Sequence, residues 1–157
     1  MITLRTLYIF IMQKVKRLLH LFFLRLITSS LPFGNRCRIL FAKWGGVKLK
    51  SRFVHIGEGV IFDSLYPEEI EIGSHVHITM NCVILTHKIN TLSSGINWEK
   101  GHVKINDGAF IGAGSIICNT VTIGYNSIIG AGSVVTKNVP DNEIWAGNPA
   151  RFIKKRL

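Results

Sequence analysis

Isoleucine or valine occupies every sixth position from Ile105 through Ile111, Ile117, Ile123 and Ile129 to Val135. This period matches neither the turn of an α-helix nor the two-residue alternation of an ordinary strand. Gly112, Gly124 and Gly130 follow the apolar residue directly, and Ser115, Ser127 and Ser133 stand four places after Ile111, Ile123 and Ile129. Such a hexad predicts one short flat strand and one corner: the branched side chain points inward, the small residue shares that interior, and glycine gives the corner its backbone freedom. Three hexads close a triangular coil of about eighteen residues, and coils stack through parallel ladder hydrogen bonds. The run from Val103 to Asn138 is long enough for two coils. A stacked repeat buries its core only against neighbours, so more coils are expected upstream. Looser spellings supply them at Val54-His-Ile56-Gly57, at Ile70-Glu-Ile72-Gly73 and in the spacing of Ile72, Ile78 and Ile84. The predicted fold class is all-β, a parallel β-helix solenoid.

The beat breaks twice. Ten residues carry the chain from Phe62 to Ile72, leaving room for a small loop at Tyr66-Pro67-Glu68, and twenty-one carry it from Ile84 to Ile105, leaving an irregular excursion over 88–102. Loops ejected from a regular scaffold are where function concentrates. Near the N-terminus the period becomes helical. Leu4, Leu7, Ile11, Val15, Leu18, Phe22 and Leu26 share one face, and Arg5, Gln13, Lys16, Arg17 and His20 the other. Ile9, Phe10, Phe23 and Leu24 fall off the apolar face, Lys14 and Arg25 lie at its margin, and Ser29-Ser-Leu-Pro32 is expected to end the helix. The chain thus divides into an amphipathic helix over 1–30, a linker over 31–52, a solenoid over 53–145 and a basic tail over 146–157.

Charge changes the picture at one end. The net charge is +10, yet residues 1–52 carry 11 Lys or Arg and no acid, while residues 53–157 carry 8 basic and 9 acidic residues. The basic segment lacks the aromatic-interleaved pattern of nucleic-acid recognition, so no nucleic-acid partner is expected. Two readings of the helix stand side by side: a cap on the solenoid or on a neighbouring subunit, and a peripheral membrane contact. Lys14, Lys16, Arg17 and Arg25 interrupt any run long enough to span a bilayer, and no cleavage pattern of a signal peptide follows. The three cysteines, Cys37, Cys82 and Cys118, are odd in number and lie in apolar sequence, which predicts reduced thiols. The expected location is cytoplasmic, with peripheral contact at the inner membrane face if the second reading of the helix holds.

The tail of the chain, with Ile111-Gly-Ala-Gly-Ser115, Val121-Thr-Ile-Gly124, Ile129-Gly-Ala-Gly-Ser133, Val135-Thr-Lys137 and Gly147-Asn-Pro-Ala-Arg151, resembles the hexapeptide-repeat acyltransferases. The resemblance covers about residues 53–155 and is strongest to bacterial O-acetyltransferases, among them galactoside and maltose acetyltransferases and those that modify surface polysaccharides. It implies a left-handed parallel β-helix, an exception to the right-handed crossover rule. It also implies a homotrimer with active sites between subunits, acetyl-CoA as acyl donor in the intersubunit groove, a sugar or glycan acceptor, and no metal. A basic amphipathic N-terminus would suit a lipid-linked acceptor.

Acyl transfer from a thioester to a hydroxyl needs a base, and histidine is the natural choice near neutral pH. Of His20, His55, His75, His77, His87 and His102, only His87 follows a hexad strand and opens the long excursion. In the resembling enzymes a Thr-His or Gly-His step at this point carries the catalytic base. The oxyanion formed on attack needs a fixed donor, and by resemblance this is the backbone amide of Ala113. Resemblance likewise assigns the backbone of Ala131, with Thr136 and Lys137, to the pantetheine arm, and Arg151 and Lys154 to the nucleotide phosphates. Phe110 stands where a tryptophan is common. Asp63 and Asn81 are candidates for holding sugar hydroxyls, and Trp98 for stacking on a sugar ring or anchoring the loop that also holds Ser93, Ser94 and Gly95. His75 and His77 alternate along a strand as a metal pair would, but the ligand spacing of the zinc-binding hexapeptide-repeat carbonic anhydrase is not reproduced around His87 or His102. Two alternatives remain open: an antibiotic-inactivating O-acetyltransferase with a similar Gly-Asn-Pro tail, and a non-catalytic trimeric scaffold.

Overall fold

A computed structural model describes residues 4–28, 34–90, 97–118 and 120–157. Each hexad is a strand of two or three residues and a corner. After helices α1 (Leu4–Thr28) and α2 (Asn35–Trp44), the first coil is β1 (Lys48–Leu49), β2 (His55–Ile56) and β3 (Ile61–Phe62), and the second is β4 (Ile70–Ile72), β5 (His77–Ile78) and β6 (Val83–Ile84). The excursion forms an antiparallel pair, β7 (His87–Asn90) and β8 (Asn97–Lys100). The third coil is β9 (Val103–Ile105), β10 (Phe110–Ile111) and β11 (Ile116–Ile117), and the fourth is β12 (Val121–Ile123), β13 (Ile128–Ile129) and β14 (Val134–Val135). The expected basic tail is instead half of a second antiparallel pair, β15 (Glu143–Gly147) and β16 (Ala150–Lys155).

Three parallel sheets form the faces of the prism, in the orders β1-β4-β9-β12, β2-β5-β10-β13-β15 and β3-β6-β11-β14, and β16 closes the second. The register is strict. Ile56, Ile78, Ile111 and Ile129 stack on one another, as do Phe62, Ile84, Ile117 and Val135 on the next face. All eight are at most 3% exposed, so the core is a column of branched side chains rather than a spherical cluster. The serines of the hexad are fully buried because their hydroxyls donate to corner carbonyls: Ser115 to Gly130 O at 3.0 Å, Ser127 to Pro140 O at 2.6 Å and Ser133 to Gly130 O at 2.6 Å. Each buried polar group is thereby satisfied within the stack.

Corner chemistry explains the looser spellings upstream. One position in the corner between the second and third faces is left-handed in every coil, and Gly59, Asn81, Gly114 and Gly132 occupy it. Asparagine tolerates that conformation better than other side chains do. A Cβ on Gly112 would lie 2.4 Å from the Ala131 nitrogen of the next coil. Glycine there sets the coil spacing.

The span expected as a linker is not one. It holds α2 and β1, because β2 is an edge strand whose backbone groups need partners and α2 supplies them. Asn35 Nδ2 donates to Val54 O at 2.9 Å, Asn35 Oδ1 accepts from Ile56 N at 2.8 Å, and Arg38 Nε donates to Ile56 O at 2.6 Å. The apolar face expected of α1 is also corrected. Among the α1 residues whose side chains are described, Leu24 and Ile27 are the buried ones, and Phe23 packs on Trp44 with ring centroids 5.0 Å apart. Ile11, Val15, Leu18 and Phe22 stay exposed. Thus α1 caps the first coil through a stripe that includes Leu24, one of the residues left off the predicted face. The expected helix stop at Ser29-Ser-Leu-Pro32 and the loop residues Ser93, Ser94 and Gly95 lie outside the described residues. Among the described residues, no helix is long and apolar enough to cross a membrane.

Ile105 and Lys104 are neighbours on β9, one inward and 1% exposed, the other outward and exposed. Ile105→Ala is expected to cost about 2–5 kcal/mol, whereas Lys104→Ala should stay within about 0.5 kcal/mol. Urea unfolding of both variants at equal protein concentration checks this.

Candidate active site

Both breaks in the six-residue beat fall on the same corner, where the third face turns back to the first, in successive coils. Ladder hydrogen bonds from Asp63 N to Ile84 O at 2.9 Å and from Leu85 N to Ile117 O at 3.0 Å hold the ends of β3 and β6 in register. Residues 24 apart in sequence therefore meet: His87 Nδ1 lies 2.5 Å from Asp63 Oδ2. The Asp63 side chain is 1% exposed and that of His87 is 22% exposed.

Burial alone would raise the pKa of Asp63, but hydrogen bonds outweigh it and hold the carboxyl below its ordinary value. Leu65 N donates to Oδ1 at 2.8 Å, and Oδ2 accepts from Thr86 N at 2.7 Å as well as from His87. The fully buried Thr86 hydroxyl lies between Oδ2 at 2.9 Å and the carbonyl of Tyr66 at 3.0 Å. An ionised carboxylate only accepts, so the proton of the neutral imidazole sits on Nδ1 and Nε2 keeps its lone pair. The His87 ring also makes a T-shaped contact with Trp98 on β8, with centroids 5.0 Å apart and planes at 71°. Asp63 and Trp98 together fix the orientation of the imidazole.

His87 lines a cavity of about 320 Å³ between the coils and α1. Asp63 was expected to bind the acceptor. Instead, both of its oxygens are engaged by donors and its side chain has almost no exposed surface, so it orients His87. Asn81 is exposed, but it sits at the corner between the second and third faces and does not face His87 across its own chain. Its residue type is accounted for by its left-handed backbone, with φ of 57°. Thr136 and Lys137 lie on the same edge as His87, two coils further along, and are exposed. Ala113 and Ala131 occupy the other edge. Ala113 O accepts from Gly132 N at 2.8 Å, and among the described residues the Ala113 N–H donates to no protein group. Beside them, Gly114 and Gly132 have nothing within 4 Å of a would-be Cβ. The corner is open at these two positions. Arg151 and Lys154 are exposed on β16. One chain therefore brings together His87, Asp63, Thr86 and Trp98 and leaves the Ala113 amide on a different edge of the prism.

The remaining histidines have structural surroundings. His75 stacks on Phe53 at 5.6 Å, His77 lies between His55 and Phe110, and His102 Nδ1 is 3.3 Å from Glu69 Oε2. Among the described residues, no group of three or more His, Cys, Asp or Glu is placed to hold a metal ion. Reading the sequence missed Thr86 as the brace of Asp63 and α1 as a wall of the cavity. The Thr86-His87 step is visible in the sequence, but Asp63, 24 residues before His87, is joined to it only by the coil stacking.

Residues 102–137 match the family model described as "Bacterial transferase hexapeptide (six repeats)". A galactoside O-acetyltransferase of Lactococcus lactis is 35% identical over 135 residues, covering 79% of this chain and 62% of that protein. The solved maltose O-acetyltransferase of Clostridium difficile 630 superposes with a TM-score of 0.70 at 29% identity, over 90% of this chain and 87% of that one. A galactoside acetyltransferase solved in complex with coenzyme A superposes with a TM-score of 0.67 at 25% identity, over 92% and 82%. The shared fold is the left-handed parallel β-helix. The chain spans less than two thirds of the length of the curated relatives it matches.

Because the folded-state pKa of Asp63 lies below its unfolded value of about 4, its ionised network stabilises the fold above that pH. This contribution is lost as the pH falls through the folded-state value. Asp63→Asn is therefore expected to melt below wild type at pH 7, and the gap should close below pH about 4. Thermal melts of both proteins across that range are the check.

Proposed function

Because this chain belongs to the hexapeptide-repeat acyltransferase family and is related to galactoside and maltose O-acetyltransferases, we infer that it transfers an acetyl group from acetyl-CoA to a hydroxyl of a sugar or glycan. The buried Asp63–His87 pair carries this reading, since it leaves one imidazole nitrogen free to accept a proton beside a cavity. His87 Nε2 takes the hydroxyl proton as the acceptor oxygen bonds to the thioester carbonyl carbon. The carbonyl π electrons move onto its oxygen, where a backbone N–H stabilises the charge. As the C–O double bond re-forms, the C–S bond breaks, and the imidazolium returns its proton to the departing thiolate. Asp63 offsets the positive charge that His87 carries in between.

The oxyanion donor is assigned to the Ala113 amide, which has no partner of its own among the described residues. Since Ala113 and His87 stand on different edges, the donor for one His87 is the partner subunit's Ala113, and the working unit is a homotrimer. Outward-facing residues support this arrangement. The first face is charged, with Lys48, Glu71 and Lys104, whereas the third presents Ile61, Val83, Ile116 and Val134 in one column. Ile61 is 46% exposed in a single chain, and an apolar column of this kind is what packing between copies would cover. The acyl donor would lie along the open corner at Ala131, with Thr136 and Lys137 beside its pantetheine arm and Arg151 and Lys154 at its phosphates. Trp98, exposed beside His87, offers an aromatic face for the acceptor sugar.

The exposed stripe of α1, Ile11, Val15, Leu18 and Phe22, lies among basic residues in a segment without acids. It suits an anionic membrane surface, which would place the cavity near a lipid-linked acceptor.

His87→Ala is expected to lower kcat by about 10²–10⁴-fold, read as thiol release from acetyl-CoA in the presence of sugar acceptors. Turnover equal to wild type would overturn the assignment. Ile116→Glu should yield monomer by light scattering and abolish turnover although His87 is untouched. Leu18→Glu with Phe22→Glu should release the protein from anionic vesicles in co-sedimentation, and equal sedimentation of variant and wild type would refute the membrane contact.

A further inference from the structure

The cavity beside His87 has one wall that the hexad repeat does not supply. Leu21, Leu24, Arg25 and Thr28 of α1 line it opposite Asp63 and His87. Most of its polar groups are already spoken for. Asp63 is engaged by three residues, and the Thr28 hydroxyl donates to Arg25 O at 2.9 Å. The Arg25 guanidinium is different: it is exposed, and among the described residues it makes no ion pair or hydrogen bond. It is the sole arginine or lysine lining the cavity among the described residues.

Its position in the sequence sharpens the point. Arg25 interrupts the apolar run Leu21-Phe-Phe-Leu24 and Leu26-Ile27, in the part of α1 that seats on the coils through Leu24 and Ile27. Packing of α1 alone would be served by a residue without charge. A guanidinium presents a planar fork of donors matched to phosphate or carboxylate oxygens, and a cavity of about 320 Å³ is at the small end of ligand pockets. It suits one substituted sugar rather than a long glycan.

We propose that Arg25 is a specificity-determining residue and that the acceptor is an anionic sugar, bearing a phosphate or a carboxylate that Arg25 holds while a hydroxyl of the same molecule reaches His87 Nε2. The helix that caps the solenoid thereby also selects the acceptor. This rests on the acetyltransferase reading above and adds the charge of the substrate to it. Leu24 packs against Gly45 and seats this turn of α1 over the coils, so Arg25 is carried on a packed helix rather than on a loop.

The test compares kcat/KM for hexose 1-phosphates, hexuronic acids and the matching methyl hexosides, in wild type, Arg25→Gln and Arg25→Lys. Wild type should prefer one anionic class over the neutral sugar by at least about tenfold. Arg25→Gln should erase most of that preference through KM, Arg25→Lys should recover part of it, and the favoured arm identifies phosphate or carboxylate as the anion. Turnover of methyl hexosides equal to or above both anionic classes would overturn the proposal while leaving the acetyltransferase reading intact. A preference that Arg25→Gln leaves within twofold would also overturn it. Absence of turnover with all three classes would sink both.

Discussion

Everything in this molecule depends on the register between coils. Ladder hydrogen bonds and a column of inward isoleucines require each coil to lie squarely on the last, with Ile56 under Ile78, Ile78 under Ile111 and Ile111 under Ile129. A residue added inside a strand would turn its whole inward set to solvent. Extra residues are therefore tolerated at corners alone: one lies between Leu49 and Ile56 in the first coil, and the corner between the third and first faces takes the two longer insertions. From that follows the meeting of Asp63 with His87, two residues that no local pattern joins.

The pair is built to be inflexible. A carboxylate with 1% of its side chain exposed would be costly without partners, and breaking such an arrangement leaves a buried charge uncompensated. Here the partners come from the backbone of Leu65 and Thr86 and from the Thr86 hydroxyl. The imidazole is gripped on its other side by the T-shaped contact with Trp98. Asp63 and Thr86 lie one and two residues beyond the ladder strands β3 and β6, while Trp98 belongs to the inserted pair β7–β8. A rigid scaffold thus positions a site made of irregular parts.

Much of the solenoid was legible in the sequence, because a residue such as Ile117 answers to one constraint, burial in the column, and that constraint repeats. The coils spelled with Asn81 and His75 in place of glycine were legible only in outline, since a left-handed corner accepts several side chains. The long excursion pointed to His87. Asp63 was misread as a ligand for the acceptor because its distance from His87 is a property of stacking, which linear spacing does not report. The helix α1 was misread for a different reason. It carries two apolar stripes, and hydrophobicity alone does not say whether Leu18 and Phe22 or Leu24 and Ile27 meet the coils; the close approach of Leu24 to Gly45 and the packing of Phe23 on Trp44 of α2 go with the second.

The caps at the two ends differ in kind, a helical pair over the first coil and an antiparallel strand beyond the fourth, and neither can be extended by another hexad. Such a rod can grow or shrink only by gaining or losing whole interior coils. Each coil is one rung of about 4.8 Å along the axis, so its loss or gain would leave the core intact while sliding Lys137 and β16 toward or away from the level of His87. The count of coils between the corner at His87 and the closing strand is therefore a gauge of length. A chain with one rung more would fold as well and measure a different molecule.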